Sequence, residues 1–171
     1  MEFNLANGGK LTLRPVTKDD DPFLLAVYGS SRAEELAQVE WPEGKQEEFL
    51  RWQFDLQRQD YDSRFPNAEY AVILIDDCPA GRIWIERDEK EIHLLDIAIL
   101  PEFQNQGIGT LLLRQLIDEA VRTQKPLRHM VFMLNANAHR FYERLGFVDT
   151  EDAGAYKRME YRGEIRSDDD E

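Results

Sequence analysis

The order of apolar and polar positions along the chain predicts alternating strands and helices. Apolar and polar residues alternate over Lys10–Pro15, which indicates a first strand that proline ends. Three acidic residues at 19–21 precede Pro22 and an apolar run, a pattern typical of a helix start. Further helices are predicted at about residues 32–39 and 44–59. The first third of the chain is therefore predicted to be one strand followed by helices.

The residue pattern in the middle of the chain predicts a three-stranded meander. Residues 70–75, 80–86 and 91–100 are rich in β-branched and apolar residues, and polar turns separate them. Because residues 91–100 are mostly apolar, we expect this strand to be central in its sheet.

A strongly periodic helix follows, from Gly109 to the Lys125-Pro126 pair. Its predicted buried face consists of Leu112, Leu113, Leu116, Ile117, Ala120 and Val121. A strand at 128–134 and a helix at 136–145 come next, and Gly146 is placed to cap that helix. Two last strands are predicted at about 147–151 and 155–161.

This order of elements predicts a mixed α/β single domain over residues 1–162. Its central, mostly antiparallel twisted sheet is expected to have six to seven strands flanked by helices. Residues 163–171 have one apolar side chain, Ile165, and end in four acids, so we expect an acidic, disordered tail.

Composition narrows the function classes. The 171 residues include 34 acidic and 21 basic ones, a formal charge of −13 that argues against nucleic-acid binding. The single cysteine, Cys78, excludes an internal disulfide and a cysteine-based zinc cluster. His129 and His139 lack metal-ligand spacing, so no metal is predicted. Without a signal peptide or a long apolar run, we expect a cytoplasmic protein with no membrane partner.

The segment with the clearest chemistry lies between the central strand and the periodic helix. It reads Gln104, Asn105, Gln106, Gly107, Ile108, Gly109, Thr110. Backbone N–H groups at a helix N-terminus bind phosphate well, and glycines allow close approach. No lysine follows the second glycine, which excludes a Walker-type loop, and Leu112 occupies the third glycine position of the dinucleotide fingerprint. From these residues alone, a tight structural turn is the alternative interpretation.

Two motifs together resemble the GNAT superfamily of acyl-CoA-dependent N-acyltransferases. Gln104, Gly107 and Gly109 match its Gln/Arg-x-x-Gly-x-Gly/Ala signature. Downstream, the segment from Asn135 to Phe147 is similar to the family's Asn-x-x-Ala-x-x-Phe-Tyr-x-x-x-Gly-Phe pattern. The motifs stand in the family's order with 25 residues between them, and the resemblance covers about residues 10–161.

The resemblance implies acetyl-CoA as a cosubstrate. The N–H groups of residues 105–110 would hold its pyrophosphate at the helix dipole, and Gln104 belongs to the same cofactor-binding set. Its pantetheine arm would run along Ile97, Ala98 and Ile99, where the central strands of the family splay apart. Asn135, Ala138 and Tyr142 complete the cofactor-binding set that the resemblance implies.

The family's chemistry also requires a general acid and a general base. Tyr142 is the candidate acid, because a phenol of pKa about 10 stays protonated at neutral pH and can donate to a thiolate. For the base, His93 has the suitable intrinsic pKa, while Asp96 needs burial to raise its own. Glu86 is a third option, and a purely structural His93 is the alternative.

The predicted function is transfer of acetyl from acetyl-CoA to a primary amine by direct attack in a ternary complex. The acceptor is expected to be a small molecule or peptide, and the negative field favours a cationic one. Dimers are common in the family, so a homodimer is an expectation to test. Alternatives are a non-catalytic acyl-CoA-binding module and a nucleotide-binding enzyme. Four aromatic residues form either an acceptor wall or core packing: Trp41, Trp52, Tyr61 and Phe65.

Overall fold

The computed structural model describes residues 1–163, which form eight strands and four α-helices. The strands are β1 (Glu2–Asn4), β2 (Lys10–Pro15), β3 (Glu69–Ile75), β4 (Cys78–Arg87), β5 (Ile92–Ile99), β6 (Leu127–Phe132), β7 (Phe147–Ala153) and β8 (Tyr156–Tyr161). The helices are α1 (Asp21–Leu36), α2 (Lys45–Arg64), α3 (Ile108–Thr123) and α4 (Ala136–Arg144). Two 3-10 turns lie at Lys18–Asp20 and Pro101–Phe103.

The described residues divide into two compact units, which β5 and α3 both join. The first unit holds residues 1–86 and 96–111, and its strand order is β1, β2, β3, β4 and the C-terminal half of β5. The second holds residues 87–95 and the chain from 112 onward, with the order β5, β6, β8, β7. Within it, β5 pairs with β6 in parallel over three residue pairs, from Ile92–Leu127 to Leu94–His129.

The mixed α/β class is confirmed, and the sheet is mostly antiparallel as predicted. The pairings β1–β2, β2–β3, β3–β4, β6–β8 and β7–β8 are all antiparallel. The predicted count of six to seven strands was too low because β1 was missed. At three residues, β1 is too short to show a period of two, and only its pairing with Lys10–Thr12 of β2 defines it. The predicted acidic tail lies, apart from Gly163, outside the described residues.

A single long helix replaces the two helices predicted over residues 19–39. The hydroxyl groups of Ser30 and Ser31 donate to the carbonyl oxygens of Val27 and Tyr28, at 2.8 and 2.6 Å. Bonds of this kind satisfy the two hydroxyls on the helix itself, so α1 continues through a Gly-Ser-Ser sequence that favours a break. The separate helix predicted at 32–39 was therefore wrong.

The helices bury their apolar faces as the periodicity predicts, with one exception. Leu24 and Tyr28 of α1 pack with Phe54 of α2 in a buried cluster. In α3, five of the six predicted core positions are buried, whereas Val121 is 63% exposed because it stands at the edge of the stripe in the last turn. No helix within residues 1–163 is long and apolar enough to cross a membrane.

Candidate active site

The glycine-containing loop follows β5 after the 3-10 turn at Pro101–Phe103, and side-chain bonds attach it to the end of the strand and to that turn. The amide Nε2 of Gln104 donates to the carbonyl oxygen of Ile99, 2.9 Å away. Gln106 donates in the same way to the carbonyl of Glu102, at 3.3 Å. The loop is therefore fixed at both of its glutamines, and α3 starts directly after it at Ile108.

Two residues of the loop have left-handed backbone conformations, with φ of 59° at Asn105 and 80° at Gly107. A Cβ added to Gly107 would meet no heavy atom within 4 Å, so the glycine is needed for its backbone angle and the space beside it is open. Gly107 also supplies the first helical acceptor, because its carbonyl oxygen binds the N–H of Leu111 at 3.0 Å. The N–H groups that precede Leu111 in α3 then have no acceptor inside the helix.

The second glycine of the signature plays another part than the first. Gly109 lies in the first turn of α3 and is not among the residues with positive φ. Its backbone conformation therefore does not require glycine. Together, Gly107 and Gly109 give a helix N-terminus that an anion can approach closely.

A third glycine, which the motifs did not single out, brings β4 close to the end of β5. A Cβ at Gly81 would stand 2.3 Å from the carbonyl oxygen of Ala98 and 3.0 Å from Cα of Ile99. The N–H of Leu100 donates to the carbonyl of Ala80 at 2.8 Å, which holds the strands at this spacing. A glycine inside an apolar strand pattern was the available signal. Gly81 thus sets the position of the half-buried residues 97–99.

The candidate acid Tyr142 is buried in the second unit, with 4% of its surface exposed. Its ring centroid lies 4.6 Å from that of His129, 5.2 Å from Phe141 and 5.5 Å from Phe147. The His129 ring is itself fixed, since its Nδ1 lies 2.8 Å from the carbonyl oxygen of Leu94. The phenol is thus held by rigid neighbours, as a proton donor at a defined position has to be. Its catalytic role stays a prediction.

The other downstream motif residues shape the start of α4. Oδ1 of Asn135 accepts the N–H of Ala138 at 3.1 Å, which makes Asn135 the cap of that helix. The backbone N–H of Ala138 is therefore used inside the chain. The predicted contacts of Asn135 and Ala138 with a cofactor stay predictions, and helix capping is the role that the structure gives to this pair.

The candidate bases have different surroundings. Oδ2 of Asp96 accepts a hydrogen bond from Nε of Arg82 at 2.7 Å, so this carboxylate is part of an ion pair. His93 is half-buried on β5 opposite Arg128 of β6, and Glu86 is half-buried near the end of β4. Asp96, Glu86 and the glycine loop belong to the first unit, whereas His93 belongs to the second with Asn135 and Tyr142.

The sequence did not predict a buried arginine, and Arg82 is 1% exposed within the first unit. Nη2 donates to Oε1 of Gln57 at 3.2 Å, and the guanidinium carbon lies 4.2 Å from the centroid of Trp84. A single basic residue inside the apolar run at 80–85 was the signal, because an unpaired charge is rarely buried.

The four aromatic residues proposed as an acceptor wall separate into two groups. Tyr61 packs edge-on against Trp84 at 5.4 Å and lies 6.0 Å from Phe65. Trp41 donates its Nε1 proton to the carbonyl of Leu36 at 3.0 Å, and Trp52 is 58% exposed. Of the four, Tyr61 contacts the Trp84 ring that lies beside Arg82, and Phe65 contacts Tyr61.

Tyr70 adds a second edge-on ring to Trp84, at 5.1 Å between ring centroids. Its hydroxyl donates to Oδ1 of Asp62 at 3.0 Å. Burial, and then this bond to a carboxylate, raise the pKa of Tyr70 to about 12, so it is protonated at neutral pH. Within the described part of the chain, no group of three His, Cys, Asp or Glu side chains is placed to hold a metal ion.

Comparison with known proteins agrees with these motifs. The sequence model of the Acetyltransferase (GNAT) family matches residues 31–147. An uncharacterized N-acetyltransferase of Methanocaldococcus jannaschii is 32% identical in an alignment 158 residues long. The alignment covers 86% of this chain and 65% of that relative's length.

Solved structures share the fold. The PaiA N-acetyltransferase of Thermoplasma acidophilum, crystallised with coenzyme A, has a TM-score of 0.67 at 19% identity, over 90% of this chain and 99% of its own. A GNAT family acetyltransferase of Elizabethkingia anophelis with acetyl-CoA bound has a TM-score of 0.56 at 16% identity, over 88% and 97%.

Proposed function

Because the chain belongs to the GNAT acetyltransferase family, we propose that it transfers the acetyl group of acetyl-CoA to a primary amine. The observation that carries the proposal is the loop at residues 104–110, with left-handed Asn105 and Gly107 directly before α3. Both family motifs stand in order around it, so this anion-binding geometry occurs in the context that the family uses for a pyrophosphate.

In this proposal the loop N–H groups bind the pyrophosphate, and residues 97–99 bind the pantetheine arm through their backbone. The acidic side chains of the chain do not prevent this, because the donors are backbone groups at the positive end of a 16-residue helix. Gly81 supports the binding indirectly by fixing the spacing of β4 and β5 at Ala98.

The chemistry requires a neutral amine. A base, of which His93 is the first candidate, takes one proton from the ammonium form of the acceptor. The amine nitrogen then bonds to the thioester carbonyl carbon, the carbon–sulfur bond breaks, and the sulfur leaves with the bonding electrons. The phenol of Tyr142 supplies the proton that the sulfur takes up. The proton that the amide nitrogen still has to lose then returns the Tyr142 phenolate to a phenol, and the base releases its own proton to solvent. The base acts directly or through a water molecule, and no covalent intermediate on the enzyme is involved.

The proposal is tested by thiol release from acetyl-CoA with a panel of primary amines, together with the melting temperature in the presence of acetyl-CoA, ATP or NAD. We expect acetyl-CoA to raise the melting temperature and at least one amine to be acetylated. Binding of acetyl-CoA without turnover on any amine would contradict catalysis and indicate a binding module. A melting temperature that ATP or NAD raises and acetyl-CoA does not would exclude both acetyl transfer and acyl-CoA binding.

A further inference from the structure

Two buried N–H donors on one face of β4 have no acceptor among the described residues. These are Nη1 of Arg82 and Nε1 of Trp84. The two residues are separated by one position, so their side chains leave the strand on the same side. Buried donors in native proteins are almost always hydrogen-bonded. Two such donors on one side of the strand therefore indicate an oxygen acceptor that residues 1–163 do not supply.

The remaining contacts of Arg82 fix the direction of its guanidinium. Nε is bonded to Asp96, Nη2 to Gln57, and the plane lies against Trp84 with the ring of Tyr28 5.7 Å away. Trp84 is in turn fixed by the edge-on rings of Tyr61 and Tyr70. Nη1 and the indole N–H are thus preorganised donors, as a ligand subsite requires.

This donor pair is also close to the strand end that is proposed to carry the acyl donor. Arg82 directly follows Gly81, whose Cβ position is 2.3 Å from the carbonyl oxygen of Ala98. Its ion-pair partner, Asp96, begins the same stretch of β5. A group bound by Arg82 and Trp84 would therefore belong to a molecule that reacts at the C-terminal end of β5.

We propose that Nη1 of Arg82 and Nε1 of Trp84 bind a carboxylate group of the amine acceptor, so that the substrate class is an amino acid. The inference rests on the proposed function for one point, that the reacting group of the acceptor is an amine. Charge favours this class: Arg82 and Asp96 already neutralise each other, and a zwitterion adds no net charge to a buried site. A guanidinium is also the side chain best shaped for a carboxylate.

The test compares matched acceptors in the thiol-release assay. The probes are the L-α-amino acids, β-alanine and γ-aminobutyrate, each beside its primary amide, which keeps the amine and removes the charge. We expect kcat/KM for the best acid to exceed that for its amide by about ten- to a hundredfold, as a charge-assisted hydrogen bond would give. Equal rates for acids and amides would overturn the proposal.

Two variants locate the preference. Trp84→Phe keeps a ring for Tyr61 and Tyr70 and removes only the N–H, and Arg82→Lys keeps the charge facing Asp96 and removes Nη1. In either variant we expect KM to rise for acids and the acid-over-amide ratio to fall about tenfold. Trp52→Phe makes the same change at an exposed position and should keep the ratio. A ratio unchanged in Trp84→Phe and Arg82→Lys would overturn the assignment.

A binding measurement separates this inference from the proposed function. The same acids and amides are added without acetyl-CoA, and the melting temperature is measured for the wild type, Trp52→Phe and Trp84→Phe. Acids should raise it more than amides in the first two proteins and not in the third. That result without acetylation of any amine would contradict the proposed activity and support the carboxylate site. No difference between acids and amides in the wild type would overturn the site.

Discussion

Nε of Arg82 and Oδ2 of Asp96 lie 2.7 Å apart, in an ion pair whose arginine side chain is 1% exposed and whose aspartate side chain is 23% exposed. The pair joins β4 to β5 at the start of the segment proposed to bind acetyl-CoA. One of the candidate bases is thereby committed to a structural contact, and the strand that carries it is tied to its neighbour.

Breaking this ion pair should destabilise the protein more than breaking an exposed one. We expect Arg82→Met and Asp96→Asn each to lower the free energy of unfolding by about 1–3 kcal/mol, because each leaves a partly buried charge without its partner. A double-mutant cycle by urea denaturation should give a coupling energy of about 1–2 kcal/mol. The exposed pair Arg64–Asp60, at 3.0 Å, is the control and should couple by less than about 0.5 kcal/mol. Equal coupling in both cycles would contradict this account.

Gly81→Ala should weaken acetyl-CoA binding as well as stability. Its new methyl group would stand 2.3 Å from the backbone oxygen of Ala98, which cannot rotate away, so β4 and β5 must separate. We expect a loss of about 1–3 kcal/mol in unfolding free energy and a higher Kd for acetyl-CoA by calorimetry. Gly29→Ala is the control: its methyl group on α1 would lie 3.4 Å from a side-chain carbon of Leu50 on α2, an ordinary van der Waals contact. An unchanged Kd in Gly81→Ala would separate this glycine from cofactor binding.

Tyr142→Phe should lower kcat while acetyl-CoA affinity stays nearly constant. Phenylalanine keeps the ring contacts with His129, Phe141 and Phe147 and removes only the hydroxyl. Loss of a general acid lowers kcat by about 100- to 10,000-fold. Tyr142→Ala should in addition lower the unfolding free energy by about 3–5 kcal/mol, since it leaves a cavity in the core. A Tyr142→Phe protein with the kcat of the wild type would remove this residue from the mechanism.

The pH dependence of kcat/KM should identify the base. If His93 accepts the proton, its variant His93→Gln should lose rate and the acid limb of the profile should change its midpoint. Asp96→Asn and Glu86→Gln should then keep the wild-type midpoint. The rates of Asp96→Asn are expressed per folded protein, because this variant is expected to be less stable. A change confined to one of these two carboxyl variants would move the assignment to that residue.

Asp20 should contribute stability that disappears in acid. The hydrogen bond from Arg14 holds the pKa of Asp20 well below its usual range, and the Arg14 bonds measure 2.7 and 2.8 Å. A lowered pKa in the folded state means that the contribution is complete above the ordinary carboxyl range of about pH 4 and declines as the pH falls below it. The stability difference between wild type and Asp20→Asn should therefore shrink from pH 6 to pH 3. Asp19→Asn, exposed and one position earlier, should change stability by less than about 0.5 kcal/mol at either pH.

Local sequence signals predicted most elements of the fold because their causes are local. The strand at Lys10–Pro15 has its predicted bounds, and Gly146, with φ of 99°, follows α4 as expected for a left-handed cap. The separate helix predicted at 32–39 was wrong because α1 runs without interruption through Gly-Ser-Ser at 29–31, where the two hydroxyl groups donate to carbonyls of the helix itself. β1 was missed because its pairing partner, and not its own three residues, makes it a strand.

The sequence by itself determined the class of fold, the glycine loop before α3 and the two motifs that identify the family, because each element and each motif is a run of neighbouring residues. Tertiary structure alone decided which polar groups meet. Arg82 and Asp96 are 14 positions apart, Gly81 faces Ala98, and Asn135 was given to its helix as a cap. Such contacts follow from strand register and packing, which a one-dimensional pattern does not encode. The proposal of an amino acid as acceptor rests on the same kind of information, because it starts from the donors of Arg82 and Trp84 that the fold buries without an acceptor among the described residues.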